Sequence, residues 1–329
     1  MGADWYAYTY ILPVRWNDGR RRQELTEYLR DLCEWGAETI VVDGSPSPVF
    51  CENRAAWMSY ALHVPPDPVH DCLNGKVAAV LTGVERAAHE RIILADDDVR
   101  YDPVTLDRAL AALDDHDLLR PQNYFVPAPW HARWDTARIL INRAVGADYP
   151  GTLALRRSCI LALGGYAGDV LFENLELIRT FVANGHSCES QLDLYVRRLP
   201  PTAAHFRGQR IRQAYDEFAN PVRMSLWLSI IPALLTAAMR RNVRALFGSA
   251  IGVVGLAERG RRRAGGARIF PATSSILAPG WVLERGICSW LAVVLRIRAG
   301  GVLYHGNTIR TAAHSLRALR NRAAFNSSK

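Results

Sequence analysis

The sequence lacks the patterns of a secreted or zinc-binding protein. Its 329 residues include six cysteines, which show neither a C-x-x-C spacing nor a paired His/Cys cluster. Those spacings are typical of disulfide frameworks and zinc modules, so we expect buried, reduced thiols in a cytosolic compartment. The N-terminus has no basic segment followed by an apolar core, and no cleaved signal peptide is therefore predicted.

Acidic residues are nearly missing from the last third of the chain. Residues 223–329 contain 17 Lys and Arg but only two acids, whereas residues 1–222 contain 23 bases and 30 acids. The net charge of +8 therefore divides into −7 for the first segment and +15 for the second. This uneven charge argues against a nucleic-acid binder. It is typical of a folded domain held on an anionic membrane surface by a basic, partly apolar tail.

Apolar runs long enough to cross a bilayer are also missing. Residues 224–239, 245–257 and 287–295 form uncharged runs of 16, 13 and nine residues. A membrane-spanning helix needs about 20 apolar residues. Arginine and tryptophan residues flank the runs, as in interfacial segments, and Arg261–Arg263 would contact lipid headgroups. We expect interfacial or re-entrant helices more than full spans, with ordinary buried core helices as the alternative.

The first half of the chain alternates between apolar strands and amphipathic helices. No G-x-G-x-x-G phosphate loop follows any of these strands. This β-α-β-α-β order predicts an α/β fold with a doubly wound, mainly parallel sheet and helices on both faces. The predicted strands are residues 6–15, 37–48 and 90–103, and the predicted helices are residues 20–36 and 75–87.

Acidic residues follow two of the predicted strands. Asp43 ends one of them, and Asp96, Asp97 and Asp98 end another. Ligands of doubly wound sheets bind beyond the carboxyl ends of the strands. Carboxylates separated by one residue can hold a divalent ion through oxygen ligands, so Asp96 and Asp98 are candidate metal ligands. A solvated acidic turn is the alternative interpretation.

The order of these segments resembles family 2 glycosyltransferases, which have a GT-A fold. The C-terminal segment resembles membrane-associated ceramide glucosyltransferase-like members. The segments that carry the resemblance are ILPVR at 11–15, TIVVDGS at 39–45, NGKVAAVLTGVERA at 74–87, RIILADDDVRYDPVTL at 91–106, DYPGTLALRRS at 148–158, FENLELIRTFVANG at 172–185, GQRIRQAYDEF at 208–218 and the tail from Ala278.

The resemblance implies a nucleotide-sugar site in the first half. Pro13, Asp43 and Lys76 would bind the nucleotide, with Asp97 beside them. Asp96 and Asp98 match the D-x-D motif that holds ribose and an Mg²⁺ or Mn²⁺ ion on the sugar diphosphate. A UDP-sugar is favoured as donor, and a GDP-sugar is the alternative.

The resemblance places the catalytic base near residue 173. Glu173 and Asn174 match an E-D pair, but an amide cannot accept a proton at neutral pH. We therefore expect Glu173 to be the base and Asn174 to orient it by hydrogen bonding. Glu176, one turn along the predicted helix, and Asp169, in the preceding loop, are the alternatives.

Further candidates lie on the acceptor side. Trp130 and His131 could face an acceptor, although a Trp-rich loop is more often packing. The other candidates resemble a Q-x-x-R-W motif whose final Trp is replaced by Gln, and their guanidinium groups suit a diphosphate. They are Gln209, Arg210 and Arg212, with Arg207 nearby.

Taken together, these features predict a metal-dependent, inverting hexosyltransferase acting on a lipid or lipid-linked acceptor. Residues 1–222 would form the catalytic domain, with a nucleotide-binding half to about residue 110 and an acceptor half beyond it. Residues 223–329 would form a basic, apolar, helical membrane-associated region, with the catalytic domain on the cytoplasmic face. The alternatives are a processive polysaccharide synthase and a catalytically silent, membrane-bound scaffold.

Overall fold

The computed structural model describes residues 7–304 and 306–327, with side chains up to residue 322. Ten strands and 13 α-helices are assigned within these residues. The strands are β1 (Tyr8–Val14), β2 (Glu38–Asp43), β3 (Leu62–Val64), β4 (Arg91–Ala95), β5 (Val99–Arg100), β6 (Leu118–Phe125), β7 (Thr152–Arg156), β8 (Cys188–Arg198), β9 (Val302–Tyr304) and β10 (Asn307–Ile309). The helices are α1 (Arg22–Glu34), α2 (Ser47–Trp57), α3 (Gly75–Arg86), α4 (Pro103–Ala111), α5 (Trp130–Val145), α6 (Arg157–Ala162), α7 (Glu173–Ala183), α8 (Ala203–Gly208), α9 (Arg210–Ala214), α10 (Pro221–Met239), α11 (Val243–Arg262), α12 (Ala272–Ala299) and α13 (Leu316–Ser327).

Eight strands form one mixed sheet in the order β3-β2-β1-β4-β7-β6-β8-β5. Six of them run in one direction, while β7 and β5 run antiparallel to their neighbours. The predicted α/β class and mainly parallel sheet are confirmed. The chain moves from β1 to β2 on one side and later to β4 on the other, which creates a switch point at the carboxyl ends of β1 and β4.

The five predicted elements correspond to β1, α1, β2, α3 and β4. The sequence analysis missed α2 and β3 between residues 44 and 74. Helix α2 is only weakly amphipathic and β3 has three residues, so neither produces a clear periodic pattern.

Alternate residues of the central strands enter two separate cores. Tyr10 and Leu12 of β1 face one core, where they meet Leu29 of α1. Ile11 faces the opposite core with Val80 of α3. This period of two explains why buried parallel strands are apolar throughout, because both faces are covered by helices.

The C-terminal region packs against α5. Ile139 and Leu140 of α5 share a core with Ala257 of α11, Trp281 of α12 and Trp227 of α10. The region is not entirely helical, because β9 and β10 form an antiparallel hairpin after α12. The division into domains at residue 222 remains a prediction.

Two of the C-terminal helices are long and apolar enough to cross a membrane. They are α10, with 19 residues, and α12, with 28. The helices extend beyond the uncharged runs seen in the sequence because Pro221 opens α10 and α12 continues through Glu284 and Arg285. Length and composition alone are weak evidence of spanning, because buried core helices share them.

The cysteines only partly match the sequence-based expectation. All six are free thiols, and Cys288 is buried. Cys33 and Cys51 are exposed, however, so the expectation that all six would be buried is wrong. Both lie on the first two helices, whose outer faces remain in solvent.

Close packing of α11 on α5 depends on one glycine. A Cβ atom at Gly260 would lie 1.8 Å from the carbonyl oxygen of Leu140, whereas a Cβ at Gly255 of the same helix would meet nothing within 4 Å. We expect Gly260→Ala to destabilise the protein by about 1–3 kcal/mol through overpacking. Gly255→Ala should instead stabilise it by up to about 1 kcal/mol, because alanine favours helix.

Chemical denaturation of the two variants beside the wild type measures both effects. Equal stabilities for Gly260→Ala and Gly255→Ala would contradict the docking of α11 on α5.

Candidate active site

A cleft of about 1170 Å³ opens at the carboxyl ends of the parallel strands. Pro13 and Val14 form the last two positions of β1 on one wall, and Gly44 follows β2. Asp96–Asp98 follow β4, and Glu173 begins α7 on the facing wall. The cleft therefore occupies the switch point of the sheet, where doubly wound folds bind ligands.

Lys76 joins the two walls of the cleft. Its Nζ lies 2.5 Å from Oδ1 of Asp96 and 2.5 Å from Oε1 of Glu173. Burial alone would lower the pKa of Lys76, but the charges of Asp96 and Glu173 raise it well above its usual value. Lys76 therefore stays protonated and positively charged between the two carboxylates.

Asn74 sets the position of Lys76. The Asn74 side chain accepts a hydrogen bond from the backbone N–H of Lys76 and so caps α3. Its amide donates to the carbonyl oxygen of Val170 at 2.9 Å, in the loop that leads to α7. This buried asparagine thus ties the start of α3 to the segment that carries Glu173.

Arg198, at the end of β8, pairs with both candidate metal ligands. Its Nη2 lies 3.1 Å from Asp96 and its Nε lies 2.9 Å from Asp98. Burial would raise the pKa of Asp96, but Lys76 and Arg198 hold it below its ordinary value. Burial and the neighbouring acids raise the pKa of Asp98, although Arg198 opposes this shift.

Asp96 and Asp98 fit a hard divalent cation. Oδ1 of Asp98 is buried and has no hydrogen-bond partner among the described residues. Gly151 lies against Asp96, where a Cβ would come within 2.8 Å of Oδ2. Asp98 thus offers a carboxylate oxygen without a partner beside the carboxylate of Asp96, and Gly151 leaves space next to them. This arrangement suits Mg²⁺ or Mn²⁺.

Asp97 points to another part of the cleft. The indole N–H of Trp16 donates to its Oδ2 at 2.5 Å, and Arg21 lies 3.4 Å from the same oxygen. Because Trp16 and Arg21 hold Asp97, its carboxylate lies on the wall formed by the segment after β1.

Asp43 lies beside the cleft rather than in it. Its side chain is fully buried and accepts hydrogen bonds from Ser45 and Asn53, with His63 at 3.0 Å. Burial alone would raise the pKa of Asp43, but these hydrogen bonds lower it below its ordinary value. Asp43 therefore shapes the turn after β2, and its binding of the nucleotide remains a prediction.

The acidic residues of α7 face different surroundings. Glu173 lines the cleft, whereas the Asn174 amide donates to the carbonyl oxygen of Pro150 at 3.3 Å. Glu176 is fully buried and accepts hydrogen bonds from the backbone and the ring of His314, at 2.7 and 2.8 Å. Of these three residues, only Glu173 reaches the cleft. Asp169 has an exposed side chain near His314.

Three residues predicted on the acceptor side lie outside the cleft. Trp130 is exposed beside a separate apolar hollow, and His131 contacts the carbonyl oxygen of Pro201. Arg210 pairs with Asp135 and Glu284, so its guanidinium is held in a structural network. These three residues lie close in sequence to segments that carry the resemblance, but their helices direct the side chains away from the cleft.

Gln209 and Arg212 do line the cleft. Arg212 stacks over the ring of Tyr304, 4.4 Å from its centre, and Tyr304 lines the cleft as well. The exposed Arg207 bonds only to its own helix in the contacts described. The cleft therefore has one guanidinium, Arg212, from the predicted arginine group.

Sequence reasoning missed Arg198, Trp16, Arg21 and Tyr304. None belongs to a recognisable motif, and Arg198 and Tyr304 are about 100 and 200 residues from the aspartates they approach. The pairing of β5 with β8 brings Arg198 to the cleft, and the folding back of the β9–β10 hairpin brings Tyr304 there. The ending of β8 in Arg197 and Arg198 was the only sequence signal.

Comparisons with solved structures agree with the fold. A mannosyltransferase from Pyrobaculum calidifontis, in complex with GDP-Man and Mn²⁺, is similar with a TM-score of 0.54 and 18% identity over 86% of each chain. Glucosyl-3-phosphoglycerate synthase from Mycobacterium tuberculosis shares 17% identity over 61% of this chain and 74% of its own. Its TM-score is 0.39, and we draw no structural conclusion from this similarity.

The predicted GT-A fold class is thereby confirmed. No protein-family model matches the sequence, and no curated protein matches it. The resemblance to family 2 and to ceramide glucosyltransferase-like proteins therefore remains a prediction.

The buried contact between His314 and Glu176 generates a pH-dependent prediction. The hydrogen bond to Glu176 raises the pKa of His314, while burial and Arg322 oppose this shift and Asp169 adds to it. A raised pKa in the folded state stabilises the protein below the unfolded-state value near 6.5, and this contribution is lost as pH rises through the folded-state pKa. The melting-temperature difference between wild type and His314→Gln should therefore be larger at about pH 6 than at about pH 9.

His116→Gln, at a histidine with no such carboxylate contact described, is the control, and its difference should vary less. A His314→Gln difference that is constant across this range would contradict the assignment.

Proposed function

We propose that the protein is a metal-dependent, inverting glycosyltransferase. It transfers a sugar from a nucleotide-sugar donor to an acceptor hydroxyl on a lipid or lipid-linked glycan. The observation that carries the proposal is the convergence of Asp96, Asp98, Lys76 and Glu173 in one cleft at the switch point of a GT-A sheet.

Glu173 is the general base in this proposal. It is the α7 carboxylate that reaches the cleft, and its link through Lys76 places it beside the aspartates of the donor site. Attack of the deprotonated acceptor hydroxyl on the anomeric carbon, from the face opposite the leaving nucleoside diphosphate, would invert the configuration there. Asn174, which bonds to Pro150, holds the first turn of α7 in place.

Lys76 has two roles in the reaction. In the absence of donor it neutralises Glu173 and Asp96. A donor diphosphate offers Lys76 a stronger anionic partner, and movement toward it would free Glu173 to accept a proton. Arg212 and Gln209 line the same cleft and would complete the diphosphate contacts.

Asp96 and Asp98 would hold Mg²⁺ or Mn²⁺. The bound ion would offset the negative charge that develops on the leaving nucleoside diphosphate. The similar mannosyltransferase is in complex with GDP-Man and Mn²⁺, so GDP-sugars belong beside UDP-sugars among the donors to be tested.

The C-terminal helices support a membrane-facing acceptor. One side of α12 exposes an apolar stripe at helical spacing that includes Ile276, Leu283 and Ile287. In the middle of the same helix, Glu284 and Arg285 form ion pairs with the body of the protein. Spanning a bilayer would break these pairs and bury their charges, so α12 lies along the membrane surface in this proposal.

The positive charge of the C-terminal region favours binding of this surface to anionic lipids. A surplus of 15 bases after residue 222 would be attracted to anionic headgroups, such as those of a cytoplasmic leaflet. We propose that the catalytic domain lies on the cytoplasmic face of the membrane. Arg261 and Arg262 pair with Glu258, so their headgroup contacts would be only partial.

Turnover is tested by release of nucleoside diphosphate from a panel of UDP- and GDP-sugars, with membranes present and with or without Mn²⁺. We expect Mn²⁺-dependent release. Glu173→Gln should lower kcat by about 10²–10⁴-fold while donor binding is retained, since only the base is removed. Asn174→Ala, the matched neighbour, should lose no more than about tenfold, because it removes one neutral hydrogen bond.

A greater loss for Asn174→Ala than for Glu173→Gln would contradict the assignment of the base. Donor binding without transfer in the wild type would instead favour a silent scaffold. A ladder of long products would identify a processive synthase.

Membrane binding is tested by flotation with vesicles of anionic or neutral lipid. The wild type should float with anionic vesicles and be released by salt, because screening weakens the basic contacts. Ile287→Glu with Leu291→Glu, on the exposed stripe of α12, should abolish flotation. Val104→Glu, at an exposed valine of α4, is the control and should float like the wild type.

A wild type that remains with the soluble fraction, or equal flotation of the α12 and α4 variants, would contradict membrane association through α12. Melting temperatures measured without vesicles verify that both variants are folded.

A further inference from the structure

Three metal-ligating side chains meet at the edge of the sheet opposite the cleft. Asp117 directly precedes β6, Cys159 lies on α6 after β7, and His186 lies between α7 and β8. The parallel strands β6 and β8 begin at this edge, and the antiparallel β7 ends there. The topology therefore brings together residues that are 42 and 27 positions apart in the sequence.

Their ligand atoms have separations suited to one ion. Oδ2 of Asp117 lies 3.2 Å from Nδ1 of His186, and Oδ1 lies 3.6 Å from Sγ of Cys159. All three ligand atoms lie within 4.8 Å of one another. Tetrahedral zinc has bonds of about 2.0–2.3 Å, which correspond to ligand separations of about 3.3–3.8 Å. Small side-chain adjustments would complete that geometry.

We propose that Asp117, Cys159 and His186 form a zinc site separate from the nucleotide-sugar cleft. A thiolate, an imidazole and a carboxylate together favour a borderline-soft ion such as Zn²⁺ over Mg²⁺ or Mn²⁺. Water would supply the fourth ligand, because the Asp117 and His186 side chains remain about a quarter exposed.

The surrounding contacts are compatible with a bound ion. Within the cluster, the thiol donates a hydrogen bond to Asp117, and His186 shares a hydrogen bond with it. On zinc binding, the Cys159 thiol would release its proton to solvent, and His186 would bind through Nδ1 as the neutral imidazole with its proton on Nε2, as Zn–S, Zn–N and Zn–O bonds form. Asp117 also accepts hydrogen bonds from Ser187, and a carboxylate has about four lone-pair positions for such partners.

Arg156 brings an opposing charge to the cluster. Its Nε lies 3.9 Å from Oδ1 of Asp117, and the same guanidinium donates to the carbonyl oxygens of Leu113 and Asp114. Because those carbonyls already hold the guanidinium, zinc binding would not leave it unpaired. Zinc would then connect the start of β6, the first turn of α6 and the turn after α7.

The site is tested on the full-length protein after removal of metal with a chelator. Zinc retained per chain is measured after titration with ZnCl₂ and gel filtration. The wild type should retain about one zinc ion more than Cys159→Ser or His186→Gln, and each variant should bind at least about tenfold more weakly. Cys188→Ser, at a neighbouring half-buried thiol outside the cluster, should retain zinc like the wild type.

Two further measurements separate this site from the cleft and from misfolding. The loss of one zinc ion on Cys159→Ser should be the same in the Asp96→Asn background, since Asp96 belongs to the cleft. Cobalt substitution of the wild type should produce a thiolate-to-metal absorption band that needs no variant to interpret. No retained zinc in the wild type, retention unchanged by Cys159→Ser, or a cobalt spectrum without the thiolate band would overturn the proposal.

Discussion

The ion pairs of Lys76 with Asp96 and Glu173 are the interaction on which the rest of the site depends. Concentrating carboxylates at the end of a parallel sheet is costly unless cations lie between them. Lys76 reaches both walls because Asn74 fixes the start of α3 and also bonds to the loop before α7. The two walls of the cleft therefore share one electrostatic centre.

The C-terminal region completes this site as well as providing an apolar surface. The segment after β10 bonds to the loop before α7 through Thr311 and Ala312, and His314 contacts the buried Glu176. Tyr304 of the β9–β10 hairpin lines the cleft. The same region carries the exposed apolar faces of α10 and α12, so one part of the chain contributes both to the cleft and to this surface.

The contrasting roles of Glu173, Asn174 and Glu176 show how far sequence could go. The motif indicated a helix that begins at the cleft, but it could not show which of its side chains face the cleft. Helix geometry turns neighbouring residues by about 100°, and the contacts of Pro150 and His314 decide which directions are occupied. The tightly bonded position of Asp43 has a similar cause, since Asn53 and His63 come from the missed α2 and β3.

The sequence by itself determined the alternating α/β order, the mainly parallel sheet, and the placement of Asp96–Asp98 at a strand end. Hydrophobic periodicity and strand-end chemistry are local, so they can be read without tertiary contacts. Only the tertiary structure decided that Arg198 pairs with these aspartates and that Asp117 and Cys159 become neighbours. Strand pairing joins residues far apart in the chain, and no local spacing records such a meeting.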